Sequence, residues 1–242
     1  MEEYGPETYG DRIADVYDDF HPNLDTDGAV EALAALAGEG PVLELAIGTG
    51  RLALPLVERG LEVHGIDASE RMVAKLREKP GGDAIPVTLG DFADVGVDGA
   101  YSLVFVAFNT LFGLLSQSEQ VRCFANVARR LSPEGVFVIE VFVPDLGRFD
   151  RDQRLQVRHL DPNEVLIDAS LHHPLEQRID SNHVVITEQG VRIYPVNIRY
   201  AFPAELDLMA RLGGLELKER WGGWHREPFA ASSPRHVSVY GR

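Results

Sequence analysis

Four places in the chain hold residues whose type and spacing could do chemistry. The first is Glu44-Leu-Ala46-Ile-Gly48-Thr-Gly50, two glycines and an alanine closing a short apolar run that contains one acid. Glycine at a strand-to-helix turn lets the backbone approach a ligand with no Cβ in the way. The second is Asp67, seventeen residues past Gly50, the length of one helix and one strand. An acid there can accept both hydroxyls of a ribose. The third is Asp91-Phe92 after another apolar run, where the carboxylate can meet an adenine amino group and the ring can wall it. The fourth is Glu140, near the end of a later run on the same side. In this order they describe a pocket for an adenosine-bearing ligand. Singly, each is equally well read as a tight turn or a surface acid.

These residues need elements to hold them. A short helical stretch is expected around 11–20, with Tyr17 and Phe20, and an Ala/Leu helix over 27–37, stopped by Gly38 and Gly40. Apolar runs at 41–46, 61–66, 86–89, 101–108 and 136–142 read as strands. Helical stripes separate them: Leu52, Ala53, Leu56 and Val57; then Met72, Val73 and Leu76 behind a Ser69 cap; then Val121, Phe124, Ala125 and Ala128 behind a Ser116/Glu119 capping box. That alternation predicts an α/β fold with a doubly wound, Rossmann-like, mostly parallel sheet, and ligands on such sheets bind at the carboxyl ends of the strands. After Pro144 the texture changes. Strand-like runs at 155–159, 164–171, 178–187 and 191–200 predict an antiparallel β insertion after the fifth strand. A helix over 203–212 and strands at 215–221 and 236–240 follow. We expect one domain over 1–242: an N-terminal lid to residue 38, a core over 41–143, the insertion over 147–201, and 203–242 completing the sheet.

Composition excludes several classes. The 45% hydrophobic and 25% charged content is that of a chain with a core. With 23 basic and 38 acidic residues the net charge is −15, which repels phosphate backbones, so no nucleic acid partner is expected. No apolar run approaches the ~18–20 residues of a membrane span, and no signal segment is visible, so a cytoplasmic protein with no membrane partner is expected. Cys123, the single cysteine, reads as a small core residue. There is no His/Glu or paired-Cys pattern for a metal and no Gly-x-Ser-x-Gly elbow for hydrolysis.

Two ligand classes fit the glycine loop. Gly48-x-Gly50-x-x-Ala53 satisfies the dinucleotide fingerprint. Glu44 inside the strand, Asp91-Phe92 after the third strand, and a leader of about forty residues favour a methyl donor instead. The ordered set Leu-Glu44-x-Ala-x-Gly-Thr-Gly, Gly-x-Asp67-x-Ser-x-x-Met72, Gly-Asp91-Phe92, a strand ending Phe108-Asn109, and Leu-Ser-Pro-Glu-Gly-x4-Glu140 resembles class I S-adenosylmethionine-dependent methyltransferases. The segment Ala14-Asp-Val-Tyr17-Asp and the β-rich insertion are similar to amino-sugar N-methyltransferases. The resemblance covers about residues 10–145. One departure is Ala46, where the family's first loop glycine usually stands.

The resemblance implies S-adenosylmethionine as cofactor and roles for individual residues. Ala46, Gly48 and Gly50 would line its methionine portion, with Glu44 able to orient its amino group. Asp67 would bind the ribose; Met72, Asp91 and Phe92 would hold the adenine. Phe108 and Asn109 would lie near the sulfonium, and Tyr17 would close over the donor. The expected reaction is methyl transfer to an N or O atom of a small, secondary-metabolite acceptor by a monomer or homodimer. An amine acceptor needs only to be unprotonated, whereas a hydroxyl wants a general base. Glu140 and Tyr17 are the favoured catalytic candidates on the acceptor side, with His172, His173, His183, His225 and Tyr200 behind them. Trp221 and Trp224 read either as pocket walls or as core. The alternatives are an NAD-dependent oxidoreductase and a catalytically silent donor-binding protein on the same fold.

Overall fold

The computed structural model describes residues 4–21 and 24–242. Its frame is a seven-stranded sheet. In chain order the strands are β1 (Val42–Leu45), β2 (Val63–Asp67), β3 (Val87–Leu89), β4 (Tyr101–Val106) and β5 (Leu131–Phe142). The expected strand-helix alternation is kept by α4 (Ala53–Glu58), α5 (Glu70–Arg77) and α6 (Gln117–Arg130), which follow α1 (Thr8–Ile13), α2 (Tyr17–Phe20) and α3 (Thr26–Ala37). Pairing is parallel from β3 through β2, β1 and β4 to β5. After the insertion come α7 (Pro203–Leu212), then β10 (Glu216–Trp221) and β11 (Arg235–Gly241), which join antiparallel beyond β5. The order β10-β11-β5-β4-β1-β2-β3 reverses direction between β1 and β4, and that switch opens the crevice above Leu45 and Val106.

β1 and β4 are buried on both faces, which is why their sequences are almost unbroken apolar runs. Leu103, Phe105 and Val42 face a core shared with α3, and Val104, Val106 and Leu43 face one shared with α6. Each such side chain contributes roughly 1.5–3 kcal/mol by leaving water. The Ser116/Glu119 capping box is present on α6.

The four strands of the insertion, β6 (Gln153–Leu160), β7 (Glu164–His173), β8 (Arg178–Thr187) and β9 (Gly190–Arg199), form a separate antiparallel sheet in sequential order. One of its faces packs on the N-terminal segment: Leu166, Val185 and Tyr194 meet Ile13, Tyr17 and Phe20. The expected helix over 11–20 is two short helices instead. The chain bends over Ala14–Val16, because Ile13 and Ala14 are buried beneath the antiparallel sheet while Tyr17 must reach the parallel one.

Candidate active site

At the crevice, the β1–α4 loop turns through three left-handed residues, Ala46 (φ 56°), Gly48 (φ 58°) and Gly50 (φ 80°). Ala46 tolerates this at a cost of about 1 kcal/mol. The two glycines serve different ends. A Cβ on Gly50 would lie 2.3 Å from Leu76 Cδ1, so Gly50 lets α5 pack against the loop. A Cβ on Gly48 would meet nothing within 4 Å. Asp67, at the tip of β2, stiffens the same loop. Its Oδ2 accepts from Gly48 N at 2.7 Å and its Oδ1 from Ser69 N at 2.8 Å. Burial pushes the Asp67 carboxyl up, against the pull of these amides.

Opposite this loop, β4 ends in two more left-handed residues, Phe108 (φ 53°) and Asn109 (φ 66°). Such strain persists only where neighbours over-determine it. Glu140 Oε2 accepts from Phe108 N at 2.8 Å, its carbonyl accepts from Asn109 N at 2.9 Å, and Asn109 Oδ1 accepts from Phe142 N at 2.7 Å. Glu140 is buried and used here as a clamp on the Phe108 turn.

Between the two turns lies a small cavity that opens to solvent. Tyr17, Glu44, Ala46, Gly48 and Phe108 line it, as do Ile47, Thr49, Arg51, Ala107 and Thr110, which sequence reasoning had not singled out. Gly50, Asp67, Met72, Asp91, Phe92 and Glu140 stand outside the lining. Met72 packs with Ile13 and Ala14 under α1. Asp91 accepts from Ala93 N at 2.8 Å and lies 3.5 Å from Arg122, and Phe92 packs on the α6 side of the core. At the bottom of the cavity Glu44 is buried, and its Oε2 has no hydrogen-bond partner. Burial raises its carboxyl to about 8, with Arg51 pulling the other way.

The N-terminal segment roofs the cavity and is strapped down by polar contacts. Ser69 caps α5 by accepting from Met72 N, and its hydroxyl donates to Asp11 at 2.6 Å. Arg71 pairs with Asp15 at 2.5 Å. Asp18 accepts from the Thr49 hydroxyl at 2.7 Å and pairs with Lys79 at 2.7 Å. Ion pairs as exposed as Arg71–Asp15 and Lys79–Asp18 add little to the hold that packing gives the roof.

His21 follows α2 directly and carries no motif in sequence. Its ring meets Phe108 edge-on at 4.8 Å and Tyr17 at 5.1 Å, and its Nε2 lies 3.4 Å from Tyr9 Oη. Burial lowers its pKa to about 4, with His183, Arg158 and Arg51 adding to the effect and Asp168 opposing it. The imidazole is therefore neutral at pH 7. Beyond it, Phe20 touches His183, whose Nδ1 is 2.5 Å from Asp168 Oδ1.

The other sequence candidates are engaged elsewhere. His172 is buried between Phe149 and the Tyr200 hydroxyl; His173 pairs with Asp180 and His225 with Asp25. Trp221 and Trp224 are core residues packed with the α3 side of the sheet. Cys123 is buried and its thiol is pushed up, as a core residue requires. Among the described residues no group of three or more His, Cys, Asp or Glu could hold a metal ion, and no helix is long and apolar enough to cross a membrane.

The methyltransferase domain family matches residues 42–135, which span the glycine loop through the start of β5. The structure of the CcbJ methyltransferase from Streptomyces caelestis superposes with a TM-score of 0.92 at 45% identity, covering 98% of this chain and 99% of that one. The cypemycin N-terminal methyltransferase of Streptomyces sp is 28% identical over 202 residues, 83% of this chain and 82% of that protein. CalS10, an amino pentose methyltransferase from Micromonospora echinaspora seen with S-adenosylmethionine bound, shares the fold with a TM-score of 0.69 at 18% identity, over 100% of this chain and 99% of its own. The hydride-transfer reading of Gly48-x-Gly50-x-x-Ala53 is set aside by these matches: the chain belongs to the class I S-adenosylmethionine-dependent methyltransferases.

Proposed function

We propose that this methyltransferase, of the secondary-metabolite type, methylates an amine nitrogen of a small acceptor held between the N-terminal roof and the antiparallel sheet. The observation that carries the choice of nitrogen is His21. A hydroxyl acceptor has to lose its proton as it attacks, and a neutral imidazole with a pKa near 4 is too weak a base to take it. Tyr17, raised to about 12 by burial, is no better placed, because its phenolate is inaccessible at pH 7. An amine needs no base to attack. The same burial and the same cations, Arg51 and Arg158, that keep His21 uncharged would keep an amine beside it unprotonated, with its lone pair free. Two of the similar proteins are named as an N-terminal methyltransferase and an amino pentose methyltransferase, which supports the same class.

The cavity fits the cofactor on the structure's own terms. Glu44 presents a buried oxygen without a partner, which suits an ammonium group. The open side of Gly48 leaves room for a ligand against the backbone. S-Adenosylmethionine supplies, when bound, a methyl group on a positively charged sulfur. Gly48, Thr49 and Ala46 would hold its methionine end over Glu44, and Asp67 would take the ribose hydroxyls with the lone pairs its two amide bonds leave free. Asp91 and Phe92 would take the adenine, with Met72 supporting α5 from below. Phe108, aimed by Glu140, would wall the methyl group, and Tyr17 and the roof would exclude water. His21 would accept a hydrogen bond from the acceptor N–H and direct the nitrogen lone pair toward the methyl carbon.

The test is product formation. The protein is incubated with S-adenosylmethionine and parallel sets of amines (alaninamide, glucosamine) and the matching hydroxy compounds (lactamide, glucose), and the products are read by mass. Methylation confined to the amines supports the reading. Methylation of the hydroxy compounds at equal rates would sink it.

A further inference from the structure

The inner face of the antiparallel sheet is apolar at its two ends and polar between them. Leu166 and Val185 meet the roof, and Ile179 and Ile198 pack on the main core. In the middle Asp168 stands opposite His183, and Ser170 opposite Ser181, all four partly exposed. Asp168 is already engaged: His183 Nδ1 lies 2.5 Å from one carboxylate oxygen and Arg158 lies 3.1 Å from the other. The Ser170 and Ser181 hydroxyls lie 2.8 Å apart and have no other partner among the described residues. β6 extends the serine row with Arg154, which stands opposite Ser170 and bonds only the neutral Gln156 side chain. Arg148 closes the corner where the two sheets meet. Its guanidinium lies 5.5 Å from the Phe142 ring, at the carboxyl end of β5, and 5.2 Å from that of Phe149, which stacks on His172 of β7.

We infer that Arg148, Arg154, Ser170 and Ser181 form a subsite for a carboxylate that the acceptor carries at the end remote from its nitrogen. The inference rests on the acceptor site proposed above. Three observations carry it. The first is unspent charge. Acids outnumber bases 38 to 23, yet neither Arg148 nor Arg154 has a carboxylate within ion-pair distance among the described residues. Desolvation against the two rings, and then the charge of Arg154, lower the Arg148 pKa, with Asp145 and Asp168 opposing. An arriving anion relieves that repulsion. The second is donor type. Two guanidinium forks offer N–H groups and the serine pair offers hydroxyls, which matches the several lone pairs of a carboxylate. Asp168, the acid in the next row, faces Arg158 instead. The third is position. The serine row stands one same-face step, about 7 Å, from the Asp168–His183 row. His183 in turn touches Phe20, the neighbour of His21. An acceptor nitrogen at His21 therefore has its carboxylate about 7 Å or more away. On a chain of net charge −15 this cationic corner also selects the end by which such an acceptor enters.

The span sets the acceptor class. Simple α-amino acids are too short, because their amine and carboxylate share one carbon. Extended acceptors fit, such as ω-amino acids and short peptides with a free C-terminus.

Titration calorimetry of the full chain saturated with S-adenosylhomocysteine tests this by binding alone. Triglycine and triglycinamide have the same length and differ in the terminal charge. Triglycine should bind at least about tenfold more tightly, and added salt should narrow the gap. Glycine should show no such preference over glycinamide. Arg148→Gln combined with Arg154→Gln should bring triglycine and its amide within about twofold of each other, with S-adenosylhomocysteine affinity and the far-UV circular dichroism spectrum unchanged. Arg129→Gln, which removes a cation on α6, should keep the preference. If the double variant does not fold, Arg154→Gln at the sheet edge is read in its place. Glycolyl-glycylglycine and its amide, with a hydroxyl in place of the amine, are titrated in parallel. Their carboxylate preference separates this result from the choice of nitrogen. Equal affinity of triglycine and its amide, or silence from both, would overturn the inference. So would a preference that survives the double variant, or an equal preference for glycine over glycinamide.

Discussion

Replacing Glu44 by Gln should uncouple donor binding from pH. Burial raises the Glu44 carboxyl to about 8, so in the ligand-free protein roughly one molecule in ten is ionised at pH 7. A donor ammonium seated on this carboxylate needs the ionised form. Reaching it at pH 7 costs about 1.4 kcal/mol, and about 1.4 kcal/mol more for each pH unit below. Affinity for S-adenosylhomocysteine, which keeps the ammonium, should therefore rise about tenfold per pH unit between about pH 6 and pH 7.5. Binding at pH 7 should release close to one proton, because pairing pulls the carboxyl back below neutrality. Titration calorimetry in phosphate and in Tris reads both quantities, since the heat of the released proton differs between the buffers. Glu44→Gln should bind more weakly at pH 7.5, show little pH slope, and release no proton. A wild-type affinity that is flat over this range, with the same heat in both buffers, would refute the placement of the ammonium on Glu44.

Other outcomes follow from the same geometry. Gly48→Ala and Gly50→Ala should part company: the first should keep a melting temperature within a few degrees while losing donor binding tenfold or more, and the second, with its clash on Leu76, should lose about 2 kcal/mol or more of stability. Urea unfolding and calorimetry separate them. His21→Ala should leave donor affinity within about twofold and lower kcat on an accepted amine by about a hundredfold, the cost of losing the hydrogen bond that aims the nitrogen lone pair. The His21 pKa is lowered in the fold from 6.5 to about 4, so the unfolded chain binds the extra proton between those values and stability falls as pH drops through that window. His21→Gln should flatten that part of the stability curve, and equal curves would remove the burial argument. Asp18→Ala breaks the Thr49 and Lys79 straps and should speed donor release severalfold in stopped-flow measurements, with little change in melting temperature.

Several of these assignments were legible in the residues alone. The strand-helix alternation, the glycine loop after β1, the acid at the tip of β2 and the antiparallel insertion all rest on local patterns that survive without knowledge of contacts. The single helix that local pattern predicts over 11–20 breaks in two, because its bend answers to the burial of Ile13 under a sheet far away in sequence. Glu140 was placed on the correct side of the sheet, but its hydrogen bond to Phe108 N, 32 residues away, was invisible. His21 and Arg51 were missed outright, since a histidine or arginine in a loop carries no signal until its neighbours are known.

The sequence by itself determined the fold class and the position of the glycine loop after β1, because hydrophobic period and glycine placement are properties of neighbouring residues. Only the tertiary structure decided the rest. It joined Asp11 to Ser69 and Asp18 to Lys79 to make a roof, it left the Glu44 oxygen unpaired, and it turned one apolar face of the antiparallel sheet outward. Burial, and with it charge state, is a property of the packed chain, and no spacing of residues along the backbone encodes it directly.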